Sequence, residues 1–317
     1  MSAHLLSGLT SAPGGRQAGD RNFNASLEQL MSGVESRFGI KPGGLVERKL
    51  ARVMQMVPLP ELEHWVSRMN SYPGDHPEWQ SLVECLTVHE TYFYREPDLM
   101  DMTRKEIIPY LLSLRERERR LKIWSSACST GEEAYDLAFM ALKVMLGENK
   151  VAWNEFGARP VDGWSLSVFA SDLSNQVLRT ARDGVYSNIA MGSIRSMPGE
   201  WMDILQPAPQ PDDRNDSGER FFAVRDWLRS YVRFSHFNLL DKLPPFDGID
   251  LVFCRNVLIY FEDDAKKQVQ TMLARAIAPG GVMVLGSAVR LLAPEYFESR
   301  FGHGGSWYVR NDTKVFA

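Results

Sequence analysis

The stretch from Leu121 to Phe139, LKIWSSACSTGEEAYDLAF, limits the possible folds more than any other part of the chain. Leu121 and Ile123 alternate as in a buried strand, and Ser125 to Gly131 are small or polar. Tyr135, Leu137, Ala138 and Phe139 then resume at helical spacing. A strand, a tight loop of small residues and a helix make the first half of a βαβ unit. In an open parallel sheet, ligands settle outside the carboxyl ends of the strands, beside the helix starts. A loop of Ala, Ser, Thr and Gly lets the backbone approach such a ligand closely. Glu132 and Glu133 follow at once and already supply the helix start with negative charge. That argues against a bound phosphate and for a cationic or polyhydroxylated ligand.

Further βα pieces follow. Ser165 to Asp172, SLSVFASD, alternates and ends in an acid, the position from which such folds accept hydrogen bonds from ribose hydroxyls. An N-cap role for Asp172 ahead of LSNQVLRTA is the competing account. Its separation from Gly131 exceeds the usual spacing of about 20 residues, because a polar, irregular connection spans 147–163. Residues 185–230 interrupt the rhythm as an inserted subdomain, with a flexible loop expected at 207–220, PAPQPDDRNDSGER. Tyr231 to Leu239 resumes the sheet, and Ile249 to Cys254, IDLVFC, is apolar throughout, as in a buried parallel strand. A helix is expected over 263–277, stopped by Pro279-Gly280-Gly281, then a strand over 282–285. The tail SWYVRNDTKVFA is expected to supply the last edge pairing.

Before the α/β part, residues 22–114 read as a helical domain. Leu27, Leu30, Met31 and Val34 form one stripe, and Leu45, Val46, Leu50 and Val53 begin another. Arg48, Lys49 and Arg52 lie on a face away from that second stripe, where a short basic surface could meet an acidic partner. The run RERERR at 115–120 reads as a solvated charged face. Residues 1–21 read as a disordered leader, a poor signal peptide without a basic start. At 317 residues the chain has room for two domains. Its net charge of −4 gives no reason to expect nucleic acid, and no apolar run reaches the roughly 20 residues that span a bilayer. Three widely spaced cysteines, Cys85, Cys128 and Cys254, suggest reduced thiols and no metal site, in keeping with a cytoplasmic location.

Taken together, TYFYREP at 91–97, WSSACSTGEEAYDLA at 124–138, FASD at 169–172, FNLLD at 237–241, FDGIDLVFCRNVLIYF at 246–261 and PGGVMVLG at 279–286 resemble the chemotaxis-receptor methyltransferase (CheR) family. The resemblance implies an α/β fold. Its parts are a Rossmann-like domain dependent on S-adenosylmethionine (SAM) over 115–317, a small antiparallel β insert, and an all-α domain in front. It further implies methylation of glutamate carboxylates on methyl-accepting chemoreceptors, with S-adenosylhomocysteine (SAH) as product. Carried over by position, it puts His89, Thr91, Arg95, Glu133, Asp172, Asn238, Leu239, Arg255 and Asn256 around the cofactor, and Arg95 and Tyr260 nearest the chemistry. Glu133 would receive the cationic amino group and Asp172 the ribose hydroxyls. Asn238 and Leu239 would meet the adenine edge, and Thr91 and Arg95 the methionine carboxylate. Thr91 and Arg95 are expected on the helical domain.

The chain departs from the family pattern at His89 (usually Asn), Ala134 (usually Pro) and Ala288 (usually Glu). Val53 and Gln55 stand where further arginines are usual. These departures keep two alternatives in view: a SAM-dependent methyltransferase of a non-receptor protein or small-molecule acid, and a SAM-binding signalling module with little turnover.

Overall fold

Apolar residues three and four apart turn the first part of the chain into four helices. The structure, a computed structural model, describes residues 21–41, 43–87, 89–188, 192–209 and 220–311. The leader at 1–20 and residues 210–219 of the expected flexible loop lie outside the described residues. The chain divides into two compact units, 1–88 with 260–265 and 89–259 with 266–317.

In the first unit, α1 (Arg21–Phe38) buries Phe23, Leu27, Leu30, Val34 and Phe38. Helix α2 (Gly44–Gln55) buries Leu50, Val53 and Met54, α3 (Leu59–Ser71) buries Leu62, Val66 and Met69, and α4 (Pro77–Leu86) buries Trp79 and Leu82. The Trp79 indole N–H donates to the Met69 carbonyl at 2.7 Å, which satisfies a polar atom inside this core. Leu45 is 47% exposed, so the second stripe starts later than its spacing suggests. The basic face is also narrower than expected. Lys49 turns to the end of α4, donating to the carbonyls of Leu86 (3.2 Å) and Thr87 (3.0 Å), and partial burial lowers its pKa. Arg48 and Arg52 remain exposed.

The second unit opens with α5 (Pro97–Met102), a π-helical turn (Thr103–Ile107) and α6 (Ile108–Leu114). The sequence reading assigns 89–114 to the helical domain, but the structure groups this segment with the α/β unit. Burial is the reason: Met100, Ile107, Ile108, Leu111 and Leu112 share one core with Leu121, Ile123, Phe139 and Phe253. After this come β1 (Arg120–Ser125), α7 (Glu132–Gly147), a hairpin of β2 (Val151–Asn154) and β3 (Gly157–Pro160), β4 (Ser165–Asp172) and α8 (Asn175–Asp183). The insert holds a three-stranded antiparallel sheet of β5 (Val185–Ser187), β6 (Leu205–Ala208) and β7 (Phe221–Val224) in the order β5-β7-β6, with a short helix α9 (Asp226–Arg229). The chain then runs through β8 (Val232–His236), β9 (Ile249–Cys254), α10 (Asp263–Ala276), β10 (Ile277–Leu285), β11 (Phe297–Gly302) and β12 (Gly305–Arg310).

The main sheet has the order β11-β12-β10-β9-β1-β4-β8. Strands β10, β9, β1, β4 and β8 run parallel, while β12 is antiparallel to β10 and β11 to β12. The edge strand is therefore β11, and the tail strand β12 lies inside it, a correction to the expected edge pairing. Strand β1 goes on to β4 on one side and has β9 on the other, so the strand order reverses beside β1. Such a reversal opens a crevice at the carboxyl ends.

Candidate active site

Backbone hydrogen bonds fix the loop after β1 to both neighbouring strands. Ser126 N–H donates to Phe253 O and Cys128 N–H to Ser171 O, each at 2.9 Å. Gly131 begins α7 with φ +97°, and a Cβ there would lie 2.8 Å from that of Ala181, so both conformation and space call for glycine.

Asp172 ends β4 as expected. Its Oδ2 accepts from Ser129 N–H at 2.8 Å and its Oδ1 from Ser174 N–H at 3.0 Å. One of the two oxygens thus serves the turn into α8, where Ser174 is the N-cap through Val177 N–H. Each oxygen retains a lone pair for a further donor. Burial raises the Asp172 pKa against the opposing pull of the Ser174 and Ser129 amides and of nearby His89.

The two glutamates at the start of α7 part company. Glu132 is wholly buried and accepts from Thr130 Oγ1 (2.7 Å) and Ser193 Oγ (2.6 Å), and burial raises its pKa. It belongs to the core of the second unit. Glu133 accepts from Ser125 Oγ at 2.6 Å and pairs with Arg255 at 3.1 Å. Burial nevertheless holds its pKa above the ordinary carboxylate range, with Arg255 pulling the other way. The expected ammonium receptor thus already has a guanidinium partner.

Arg255 follows β9 and is 4% exposed. It donates to Glu133 and, at 2.6 Å, to the Arg95 carbonyl, and lies 3.6 Å from Glu96. Its Nε is buried without an acceptor among the described residues. The neighbouring Asn256 donates to Glu96 Oε1 at 3.1 Å. Across from it runs the 89–97 loop. Tyr94 N–H donates to Asp136 at 2.6 Å, Arg95 to the Glu90 carbonyl at 2.5 Å, and the His89 carbonyl accepts from Ser129 Oγ at 3.2 Å. Thr91 is half-buried in the same loop.

Backbone strain collects here as well. Tyr94 (φ 59°), Glu96 (φ 61°), Ser129 (φ 48°) and Asn256 (φ 54°) all take left-handed conformations. Bulky residues in that region cost about 1–3 kcal/mol each, and such strain gathers at functional sites. On the far side of β4, Phe237 N–H donates to Asp172 O at 3.0 Å and brings Asn238 and buried Leu239 to the crevice; Asn238 Oδ1 is taken by Leu240 N–H at 3.0 Å.

Nine of the ten expected residues therefore lie in the second unit. His89, Thr91 and Arg95 belong to it, whereas the sequence reading gives Thr91 and Arg95 to the helical domain. Tyr260 is counted with the first unit, where its carbonyl accepts from Lys41 N–H at 2.6 Å. Sequence reasoning passes over Glu96, Ser125, Asp136 and Ser193. Glu96 sits inside TYFYREP, and Ser125 and Asp136 inside WSSACSTGEEAYDLA, so position gave a signal for those three; Ser193 in an irregular insert gave none.

A nucleoside with a cationic amino-acid tail fits this donor and acceptor set. Half-buried acids at the end of β4 and the start of α7 suit hydroxyls and an ammonium, and the Arg255 Nε, without an acceptor among the described residues, is a buried donor left for an anionic group.

The model of the CheR methyltransferase SAM-binding domain matches residues 89–303. Chemotaxis protein methyltransferase 1 of Pseudomonas aeruginosa is 30% identical over 276 residues, covering 84% of this chain and 91% of that protein. Chemotaxis protein methyltransferase Cher2 of Pseudomonas putida is 29% identical over 280 residues, covering 87% and 94%. The chemotaxis protein methyltransferase of Escherichia coli is 29% identical over 264 residues, covering 81% and 79%.

Proposed function

The chain belongs to the CheR family of SAM-dependent methyltransferases, and on that premise we propose that it methylates glutamate side chains on the cytoplasmic helices of chemoreceptors. The observation that carries the reading is the pair of half-buried acids, Asp172 at the end of β4 and Glu133 at the start of α7, beside a strained, arginine-bearing loop.

When bound, SAM supplies a methyl carbon on cationic sulfur, which an ionised carboxylate can take directly to leave an ester and a thioether. A glutamate is ionised near neutral pH, so this chain needs no strong base. Its task is alignment and exclusion of water, worth about 7–11 kcal/mol when geometry is good. Asp172 receives the ribose hydroxyls. Glu133 receives the amino group while sharing its charge with Arg255. His89 and Thr91 border the cofactor from the loop, and Asn238 and Leu239 meet the adenine edge. Asn256 holds Glu96, and Arg95 orients a carboxylate through its guanidinium.

The narrowed basic face on α2, reduced to Arg48 and Arg52, favours a second reading with the same chemistry on a different protein or small-molecule acid. Transfer of labelled methyl from SAM to receptor cytoplasmic fragments, with mass-spectrometric mapping of the modified residue, separates the two. Label on receptor glutamates is expected. Label on other acceptors alone would replace the receptor reading, and SAM binding without transfer to any carboxylate would remove both. Arg95→Ala is expected to lower turnover on the order of 100-fold with little loss of stability, measured by kcat beside thermal melting.

A further inference from the structure

We propose that Arg195, in the β insert, is a positioning residue for methyl transfer: it clamps the 89–97 loop, so that the insert and the methionine end of the cofactor site move as one body. The proposal rests on the reading of that loop as part of the active site.

Polar and cation–ring contacts join one turn of the insert to the loop. The Arg195 guanidinium lies 3.9 Å from the Tyr92 ring centroid and its NH2 reaches Glu90 Oε1 at 2.7 Å. Phe93 N–H donates to the Ser193 carbonyl at 2.8 Å, and Ser193 Oγ donates to buried Glu132 at 2.6 Å, which ties the same turn to the start of α7. Arg95 uses the same two residues: its guanidinium lies 5.8 Å from the Tyr92 centroid and donates to the Glu90 carbonyl. Tyr92 and Glu90 are therefore a shared platform for two arginines. One comes from the insert and the other is assigned to the chemistry.

An exposed ion pair alone would carry little weight. This one differs in that the Arg195 side chain is only 17% exposed and lies over an aromatic ring, an arrangement suited to the flat guanidinium. The loop also needs restraint, because Tyr94 and Glu96 hold left-handed conformations that persist only where the surroundings over-determine them. Arg255 holds the Arg95 carbonyl from below and Asp136 holds Tyr94 N–H. From the insert, Tyr186 and Trp201 pack edge-on against Phe93 and Tyr94, and the clasp of Ser193 and Arg195 adds the polar and charged hold. A partner that displaces or braces the insert is thereby able to change how Arg95 is aimed.

The test compares Arg195→Ala, Arg195→Lys and Tyr92→Leu in the full chain. The readouts are kcat for labelled-methyl transfer, SAH affinity by calorimetry, and hydrogen exchange of the 89–97 segment. Arg195→Ala is expected to lower kcat on the order of 10–100-fold, to change SAH affinity less than kcat, and to speed exchange at Phe93 and Tyr94. Arg195→Lys, which keeps the charge and loses the flat stack, is expected to fall between. Arg195→Ala and Tyr92→Leu are expected to be non-additive in kcat, since both remove one contact. Wild-type kcat and exchange in Arg195→Ala, or strictly additive effects, would overturn the clasp. A purely structural role would lower the melting temperature and active fraction without changing kcat per folded molecule, and that result would overturn it too. If wild-type protein transfers methyl to no acceptor, the enzymatic reading fails, and unchanged exchange in Arg195→Ala then separately decides against the clasp.

Discussion

Buried arginines sit at both ends of the central strands, and their surroundings differ. At the amino-terminal end, Arg115 pairs with Asp250 at 2.6 Å and donates to Pro279 O at 2.8 Å, while Asp250 also accepts Lys122 N–H at 2.8 Å. Asp250 is fully buried and both its oxygens are used. At the carboxyl-terminal end, Arg255 meets Glu133 and Glu96, but its Nε has no acceptor among the described residues and the loops around it are strained. The same side-chain chemistry is closed at one end and left incomplete at the other. Buried polar atoms left unsatisfied call for an explanation, and a ligand is one. The comparison teaches that a buried charge marks a site only where its valences remain unfilled.

The largest effect expected bears on the closed end. Asp250→Ala strands a buried guanidinium and is expected to cost about 3–5 kcal/mol of stability, read from denaturant midpoints, with SAH affinity per folded molecule unchanged. A fall in affinity as large as the fall in stability would erase the distinction between the ends. At the open end, Asp172→Ala removes two charge-assisted hydrogen bonds of about 1.5 kcal/mol each, hence roughly 100-fold in SAH affinity by calorimetry, with a smaller stability change. Unchanged affinity would remove Asp172 from the ribose position. Gly131→Ala would crowd Ala181 at a positive φ and is expected to cost about 1–3 kcal/mol, with cofactor affinity lowered as well; loss of stability alone would separate the loop from the ligand.

The smallest effect is on pH dependence, and its sign is definite. Burial raises the pKa of Glu132, Glu133 and Asp172 above ordinary values of 4.5, 4.5 and 3.8. Carboxyls raised in the folded state contribute stability that is fully present below those ordinary values and is lost as pH rises through the folded pKa. Cofactor binding to ionised Glu133 and Asp172 works in the opposite direction, so affinity is expected to fall as pH drops through the same raised values. The increase in melting temperature given by SAH should therefore grow with pH across that window; a flat increase would mean these two acids do not change protonation on binding.

Much of the open end is legible in the sequence, because strand, loop and acid are adjacent there. The expected strand, loop and helix at 121–139 are β1 and α7, the acid closing 165–172 closes β4, and 249–254 is β9. The closed end is hidden. Arg115 reads as part of a solvated run, and nothing local reveals that Asp250, 135 positions on, is its partner. The hairpin of β2 and β3 is hidden in a connection that reads as irregular, since its strands are four residues each and mostly exposed on one arm. Residues 89–114 carry helical spacing whichever core they join, so their place in the second unit depends on tertiary burial that periodicity does not encode. Lys49 follows the same logic: its charge is visible in sequence, its use at the end of α4 is not.

The loop between β1 and α7 is secured by Ser126 N–H and Cys128 N–H, main-chain donors that every residue except proline possesses. Its shape is thus insured against most replacements of its own side chains. Exchanges among small residues there, Gly131 and any proline excepted, leave both bonds in place and the recess beneath them with its outline.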